Sequence, residues 1–205
     1  MTAFRFDNLK QYTDVVRSRL GEAVTVRFVE PRDAEELQSY FRSLSTQSRY
    51  SRFLGAMSEL PKTLLDHFTQ MDNGFTVVAT MPVDGFESIV GEARYAINAD
   101  SDSFEFGLSI DDRWQGHGIG AALLKNLECR AAALGAERIF GDTLRSNEAM
   151  ISLARKSGFA FTNNPDDWKL VRFEKHIEIA PKDIPCASWR IATASRDAMP
   201  VLATR

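Results

Sequence analysis

Ile110-Asp111-Asp112-Arg113-Trp114-Gln115-Gly116-His117-Gly118-Ile119-Gly120 is the stretch that decides the fold. Before it, Phe104 to Ile110 reads as a strand. After it, Ile119, Leu123, Leu127 and Leu134 recur along one stripe, so Gly118 to Leu134 reads as a long helix with Gly135 beyond its end. A strand therefore runs through a glycine-rich turn into a helix. The first-turn N–H groups of a helix have no internal acceptor, and the helix dipole adds partial positive charge there. Glycines at 116, 118 and 120 let an anion approach those groups with no β-carbon in the way. The turn reads as a phosphate or pyrophosphate cradle built from backbone. The alternative is a tight turn whose glycines serve only positive φ.

The phosphate ligand can be narrowed. A P-loop needs Gly-Lys-Ser/Thr, which is absent. Gly116, Gly118 and Ala121 satisfy a dinucleotide fingerprint, and Asp142 follows about twenty residues later. Against it, Asp111 to Gln115 separate the strand from the first glycine, and the upstream strands do not alternate with helices.

Working outward, Phe75–Thr80, Ile89–Ile97 and Phe104–Ile110 are strands joined by short links, which predicts an antiparallel meander. Met81–Glu87, with Pro82 and Gly85, and Asn98–Ser101 are the turns. Upstream, Val24, Val26 and Phe28 alternate as a half-buried strand, and Pro31 and Asp33 open a helix to about Leu44. Ser45 to Ser48 is a polar link into Arg49-Tyr50-Ser51-Arg52-Phe53, and Pro61 starts a helix with Leu64, Leu65 and Phe68 on its core side. Asp7 or Asn8 caps a first helix with Leu9, Tyr12, Val16 and Leu20 at helical spacing, closed by Gly21. Downstream come a strand over 138–143, a helix over 147–156 closed by Gly158, and strands over 159–162 and 169–173. Pro181, Pro185 and Pro200 punctuate the rest. The expected organisation is a helical extension over 1–22, one α+β domain over 23–178, and an extension or tail over 179–205. The sheet is mixed, mostly antiparallel, of about seven strands.

Composition narrows the function classes. The 205 residues fit one domain at roughly 150 residues per domain. With 25 Lys and Arg against 28 Asp and Glu, the net charge of −3 carries no basic footprint for nucleic acid or an anionic membrane. No apolar run reaches the length of about 18 residues that a membrane span needs, and no apolar leader precedes Asp7, so no signal peptide is expected. Cys129 and Cys186 are far apart, and His67, His117 and His176 are isolated, so no metal site is expected. A reducing cytoplasm is the expected compartment.

At the glycine-rich turn the chain resembles the GNAT superfamily of acetyl-CoA-dependent N-acetyltransferases. Gln115-Gly116-His117-Gly118-Ile119-Gly120 fits its Arg/Gln-x-x-Gly-x-Gly/Ala signature, and Asn147, Leu153, Lys156, Gly158 and Phe159 are similar to its second motif. Ser-x-x-Ser-Arg-Tyr-x-Arg-Phe over 45–53, with Arg27-Phe28-Val29-Glu30-Pro31-Arg32-Asp33, resembles the acetyltransferase domain of bacterial protein lysine acetyltransferases; the likeness covers about residues 8–178. The resemblance implies acetyl-CoA as acyl donor and no metal. The acceptor it implies is a primary amine, a protein lysine first and a small-molecule amine or polyamine second. The protein would act as a monomer or homodimer. It also implies a strand splayed from its neighbour by a bulge, admitting pantetheine beside Leu108, Ser109 and Ile110. Gly107 is where a bulge or a close backbone approach would fall. Gln115, Gly116, His117, Gly118, Ile119 and Gly120 would bind the cofactor's diphosphate, and Asn147 would contact coenzyme A through its side chain, cap the last helix, or do both.

Acetyl transfer needs a neutral amine, whereas an alkylamine is mostly protonated at pH 7. Glu105, mid-strand, matches the general base of the resembling lysine acetyltransferases; otherwise it is a solvent-facing strand residue. Glu92 is the alternate base, or a salt-bridged residue. The family's usual tyrosine acid falls on Ala154, which leaves that role vacant and keeps a non-catalytic acyl-CoA-binding module open. Arg113 and Lys125 are candidates for the outer phosphates. The acidic residues Asp84, Glu87, Asp100, Asp102, Asp111 and Asp112 either attract a cationic acceptor or keep turns soluble.

Overall fold

In a computed structural model, the described residues are 13–69, 74–98, 103–133 and 135–178. The expected caps Asp7 and Asn8, helix positions Leu9 and Tyr12, the turn residues 99–102, Leu134, and the tail 179–205 lie outside them.

Strands β1 (Asp14–Arg17) and β2 (Ala23–Phe28) form a hairpin. A single 3₁₀ turn at Pro31–Asp33 then leads into helices α1 (Ala34–Ser43), α2 (Thr46–Phe53) and α3 (Lys62–Thr69). The meander follows: β3 (Gly74–Val83), β4 (Phe86–Asn98) and β5 (Ser103–Ile110). The second half is α4 (Ile119–Ala133), β6 (Arg138–Leu144), α5 (Glu148–Lys156), β7 (Ala160–Asn163) and β8 (Leu170–His176). The sheet has eight strands in the order β1-β2-β3-β4-β5-β6-β8-β7, parallel only between β5 and β6. This is the expected α+β architecture with one strand more than the expected seven.

The extra strand is a correction. Residues 14–17 are strand rather than part of a first helix. The helical spacing of Val16 and Leu20 competes with two adjacent β-branched residues, and the free edge of β2 decides for the strand. Val15 is exposed and Val16 packs on the core, the two-residue period of a strand. Asp14 fastens β1 to α4: its Oδ2 accepts from Arg130 Nη2 at 3.1 Å and Asn126 Nδ2 at 2.8 Å. Arg130 is fully buried and its guanidinium lies 4.9 Å over the ring of Phe28.

Two further boundaries move. The β3–β4 connection is the pair Asp84 (φ 51°) and Gly85 (φ 86°), not a turn region over 81–87. Asp-Gly supports a two-residue hairpin turn, and the strands run up to it on both sides. The expected link over 45–48 is instead the start of helix α2, capped by Ser45 Oγ accepting from the Ser48 N–H at 3.1 Å and ended by Leu54 at φ 54°.

Apolar clusters cover both faces of the sheet. Ile119, Leu123, Leu124 and Leu127 of α4 pack with Val26, Val77, Ala93, Tyr95, Phe104 and Phe106. On the other face Leu37, Tyr40 and Phe41 of α1, Leu44 just past its end and Phe68 of α3 meet Val78 and Ile89. With strands buried on both sides, the sheet is a rigid platform for what lies at its opening.

That opening is between β5 and β6. They pair only over Ser103–Glu105 with Arg138–Phe140. Beyond this β6 stays with β8 as far as Leu144, and β5 stays with β4 as far as Ile110. The strands diverge as a V whose apex is the pair Glu105 and Phe140. The bulge expected at Gly107 is corrected: the β4–β5 register runs unbroken through Gly107 paired with Arg94, and the irregularity lies between β3 and β4 at Ala79/Thr80. The V therefore arises from lost pairing on the β6 side. Gly107 serves the close approach instead, since a β-carbon there would lie 2.7 Å from Nη1 of Arg52.

Candidate functional site

The mouth of the V is the glycine-rich turn. Gly116 (φ 81°) and Gly118 (φ 85°) take left-handed backbone that other residues adopt only with strain. Gly120 does not, and a β-carbon there would make only ordinary contacts, 3.5 Å from Leu153 and 3.6 Å from Ile110. Among the described residues, the N–H groups of Gly116 through Ala121 donate to no protein acceptor; the ladder of α4 begins with Ala122 N–H to Gly118 O at 3.1 Å. Bare amides at the start of a fifteen-residue helix are an arrangement that suits an anion.

The loop is held from below. Asp111 is 1% exposed and accepts from the Arg113 N–H, from both arms of the Arg113 guanidinium, and from Ser43 Oγ at 2.9 Å. Asp112 accepts from the N–H and hydroxyl of Ser45 and from Ser48 Oγ at 2.8 Å, tying the start of α2 to the loop. Burial pushes both carboxyls up, but the hydrogen bonds outweigh it and both lie below the usual range. Gln115 Nε2 donates to Ile110 O at 3.1 Å, closing the turn back on β5.

Between the loop, β5, α2 and the start of α5 lies a cavity of about 750 Å3. Of the expected cofactor residues, Leu108, Ser109, Ile110, Gln115, Gly116, Gly118, Gly120 and Asn147 line it. Ile119 does not: its side chain is 1% exposed in the core, and what it brings to the mouth is its N–H. His117 lies beside the cavity with its ring edge-on to Trp114 at 6.0 Å. Asn147 caps α5, its Oδ1 accepting from the Met150 N–H at 3.2 Å and its Nδ2 donating to Thr143. Glu105 is outside the cavity, exposed, at the apex of the V. Arg172, paired with Asp142 at 2.7 Å, is held above its ordinary pKa by that partner first and also by the charge of Glu105.

Glu92 is 2% exposed and bound by Arg52 at 2.6 and 3.3 Å, the salt-bridged alternative. Its Oε1 also accepts from Ser109 Oγ at 3.1 Å, and Ser109 Oγ lies 2.9 Å from Tyr40 Oη. Burial first, then the Glu92 charge, pushes the Tyr40 phenol well above 10. This network reaches the cavity wall at Arg52 and Ser109. The sequence shows Arg52 only as part of the motif over 45–53; the network was not legible there, since its members lie on four elements.

Other expectations separate. Arg113 is committed to Asp111, and Lys125 does not line the cavity. Asp111 and Asp112 are used within the loop and Glu87 by Arg27 and Thr80, so these acidic residues brace turns. Ala154 is fully buried, so the second motif offers no hydroxyl there. Among the described residues no cluster of His, Cys, Asp and Glu could hold a metal ion.

Comparison with known proteins bears on this geometry. Residues 35–159 match the model of the acetyltransferase (GNAT) family. The chain is 31% identical over 149 residues to acetyltransferase PA5475 of Pseudomonas aeruginosa, covering 72% of this chain and 80% of that protein. It is 25% identical over 169 residues to acetyltransferase Pat of Mycolicibacterium smegmatis, covering 82% of this chain and 49% of that one. The GNAT domain of S. lividans PAT has the same fold, with a TM-score of 0.75 at 24% identity over 83% of this chain and 99% of that one.

Proposed function

The chain belongs to the acetyltransferase (GNAT) family, and from that premise we propose that it acetylates a primary amine by direct transfer from acetyl-CoA, with a protein lysine as first acceptor. GNAT-type acetyl-CoA-dependent acetyl transfer is the activity of the family; the acceptor and the residue roles below are our reading.

The observation that carries the reading is the V between β5 and β6, which begins at Glu105 and opens onto unpaired amides. In this reading the amides of Gly116 to Ala121 hold the donor's diphosphate, and the edge of Leu108–Ile110 that β6 leaves unpaired lines its pantetheine arm. The thioester then lies toward the apex, where Glu105 takes the proton of the incoming ammonium, directly or through a water. The amine nitrogen forms its bond to the carbonyl carbon and gives up its second proton to solvent, the carbon–sulfur bond breaks, and the thiolate leaves. A thiol with a pKa near 8.5 leaves as thiolate at neutral pH, and solvent supplies its proton because Ala154 offers none.

Free-thiol release with acetyl-CoA, against lysine peptides and polyamines, tests the proposal. Turnover with lysine peptides is expected, and preference for a polyamine would move the acceptor to a small molecule. Glu105→Gln should lower kcat/KM about a hundredfold or more near neutral pH; full activity across the pH range would remove Glu105 from the reaction. The buried Ala154 favours a second reading, a non-catalytic acyl-CoA-binding module. Binding without thiol release from any amine would select it.

A further inference from the structure

Ser18-Arg19-Leu20-Gly21 turns the chain from β1 to β2. The turn is preset: Ser18 Oγ accepts from the N–H of Leu20 and of Glu22, each at 3.2 Å, and Gly21 takes φ 82°. Its tip rests on the glycine-rich loop. The Arg19 N–H donates to His117 O at 2.7 Å. The Arg19 stem crosses Gly118 so closely that a β-carbon there would lie 2.6 Å from Cγ and 3.3 Å from Cδ. Glycine at 118 thus supplies left-handed backbone and room for this side chain.

Arg19 lines the same cavity as Gly116, Gly118 and Gly120. Among the described residues its guanidinium makes no ion pair and no side-chain hydrogen bond, whereas Arg17 donates to Gly21 O and Arg113 pairs with Asp111. The loop amides offer only dipoles, so a cation beside them supplies the formal positive charge that the loop itself lacks for an anionic diphosphate. A guanidinium presents five donors in a planar fork matched to phosphate oxygens, and a stem already fixed by the loop loses little freedom on binding. The turn precedes the stretch 35–159 that the family model matches.

We propose that Arg19 is a phosphate-binding residue of this site and that its guanidinium contacts the diphosphate of the acyl donor. The proposal rests on the reading of the cavity as the acetyl-CoA site. Calorimetric titration of coenzyme A and of dephospho-coenzyme A into wild type and Arg19→Gln tests it. Glutamine keeps the stem over Gly118, and because Arg19 is exposed the unliganded melting midpoint should stay at the wild-type value. The expected result is a loss of about tenfold in affinity, equal for both ligands, since one charge-assisted contact is removed. Unchanged affinity in Arg19→Gln overturns the proposal. So does a loss seen with coenzyme A and absent with the dephospho form, which would move the contact to the 3′-phosphate. Absence of binding to wild type would instead refute the cavity reading itself.

Discussion

The guanidinium of Arg52 occupies the space that a β-carbon on Gly107 would need, with Nη1 2.7 Å from that position. From there it holds the buried carboxylate of Glu92. One missing side chain on β5 thereby allows an ion pair between α2 and β4 to form across the strand that borders the cavity.

Gly107→Ala should swing Arg52 aside and leave Glu92 buried without its partner. The expected loss is about 3–5 kcal/mol, the scale of breaking a buried pair, read by urea denaturation. In an Arg52→Met background the same substitution should cost well under half as much. Equal costs in both backgrounds would mean that the glycine and the ion pair are independent.

Acid stability should depend on Asp33. Its carboxylate is paired with Arg27 at 2.7 and 3.0 Å and accepts from the Glu30 N–H at 2.7 Å. Burial raises its pKa, the bonds outweigh that, and the folded value lies below the unfolded one near 3.9. A carboxyl with a depressed folded pKa stabilises fully above its unfolded pKa and loses that contribution as pH falls through the folded pKa. Wild type should therefore lose stability steeply below about pH 4. Asp33→Asn should be less stable at pH 7 and show a shallower fall below pH 4. Parallel curves for the two proteins would exclude Asp33 from the acid transition.

Asn147→Ala removes an N-cap and a cavity wall at once. The cap alone is worth about 1 kcal/mol, which denaturant unfolding of the unliganded protein would register. Coenzyme A affinity should fall as well. Asn147→Asp retains the cap acceptor and should recover the stability, while its charge keeps ligand affinity low. Recovery of both would assign Asn147 to capping alone.

Gly141→Ala addresses the V. A β-carbon there would lie 2.7 Å from the carbonyl oxygen of Phe106 and 2.7 Å from the ring of Phe173. A backbone oxygen cannot move aside as a side chain can, so the strands must shift just past the apex. Overpacking of this kind costs about 1–3 kcal/mol. The expected outcome is a lower melting midpoint with a larger relative loss of turnover, and unaltered turnover would show that the apex geometry tolerates displacement.

The parts of the fold legible in the sequence were those encoded locally. Gly116 and Gly118 announce left-handed backbone before a helix, and the apolar stripe of α4 continues from them, so loop and helix could be read together. The meander followed from short links between alternating runs. β1 was not legible, because Val16 and Leu20 satisfy helical spacing and the choice was made by the edge of β2 and by Asp14 reaching Arg130, 116 residues away. The origin of the V was also hidden. Gly107 in a strand suggested a bulge or a close approach; the glycine makes room for a guanidinium arriving from α2, and the V comes instead from pairing lost on the β6 side. Arg19 was missed for the same reason as β1, since only the hairpin brings it to Gly118.

The central claim is that bare loop amides hold the donor's diphosphate, and backbone amide chemical shifts measured during a coenzyme A titration test it most directly. Saturating coenzyme A should shift the N–H resonances of Gly116, Gly118, Ile119 and Gly120 strongly, and pantetheine, which lacks the diphosphate, should leave them near their free positions. Loop resonances unmoved by coenzyme A, with the shifts confined to other surfaces, would contradict the account.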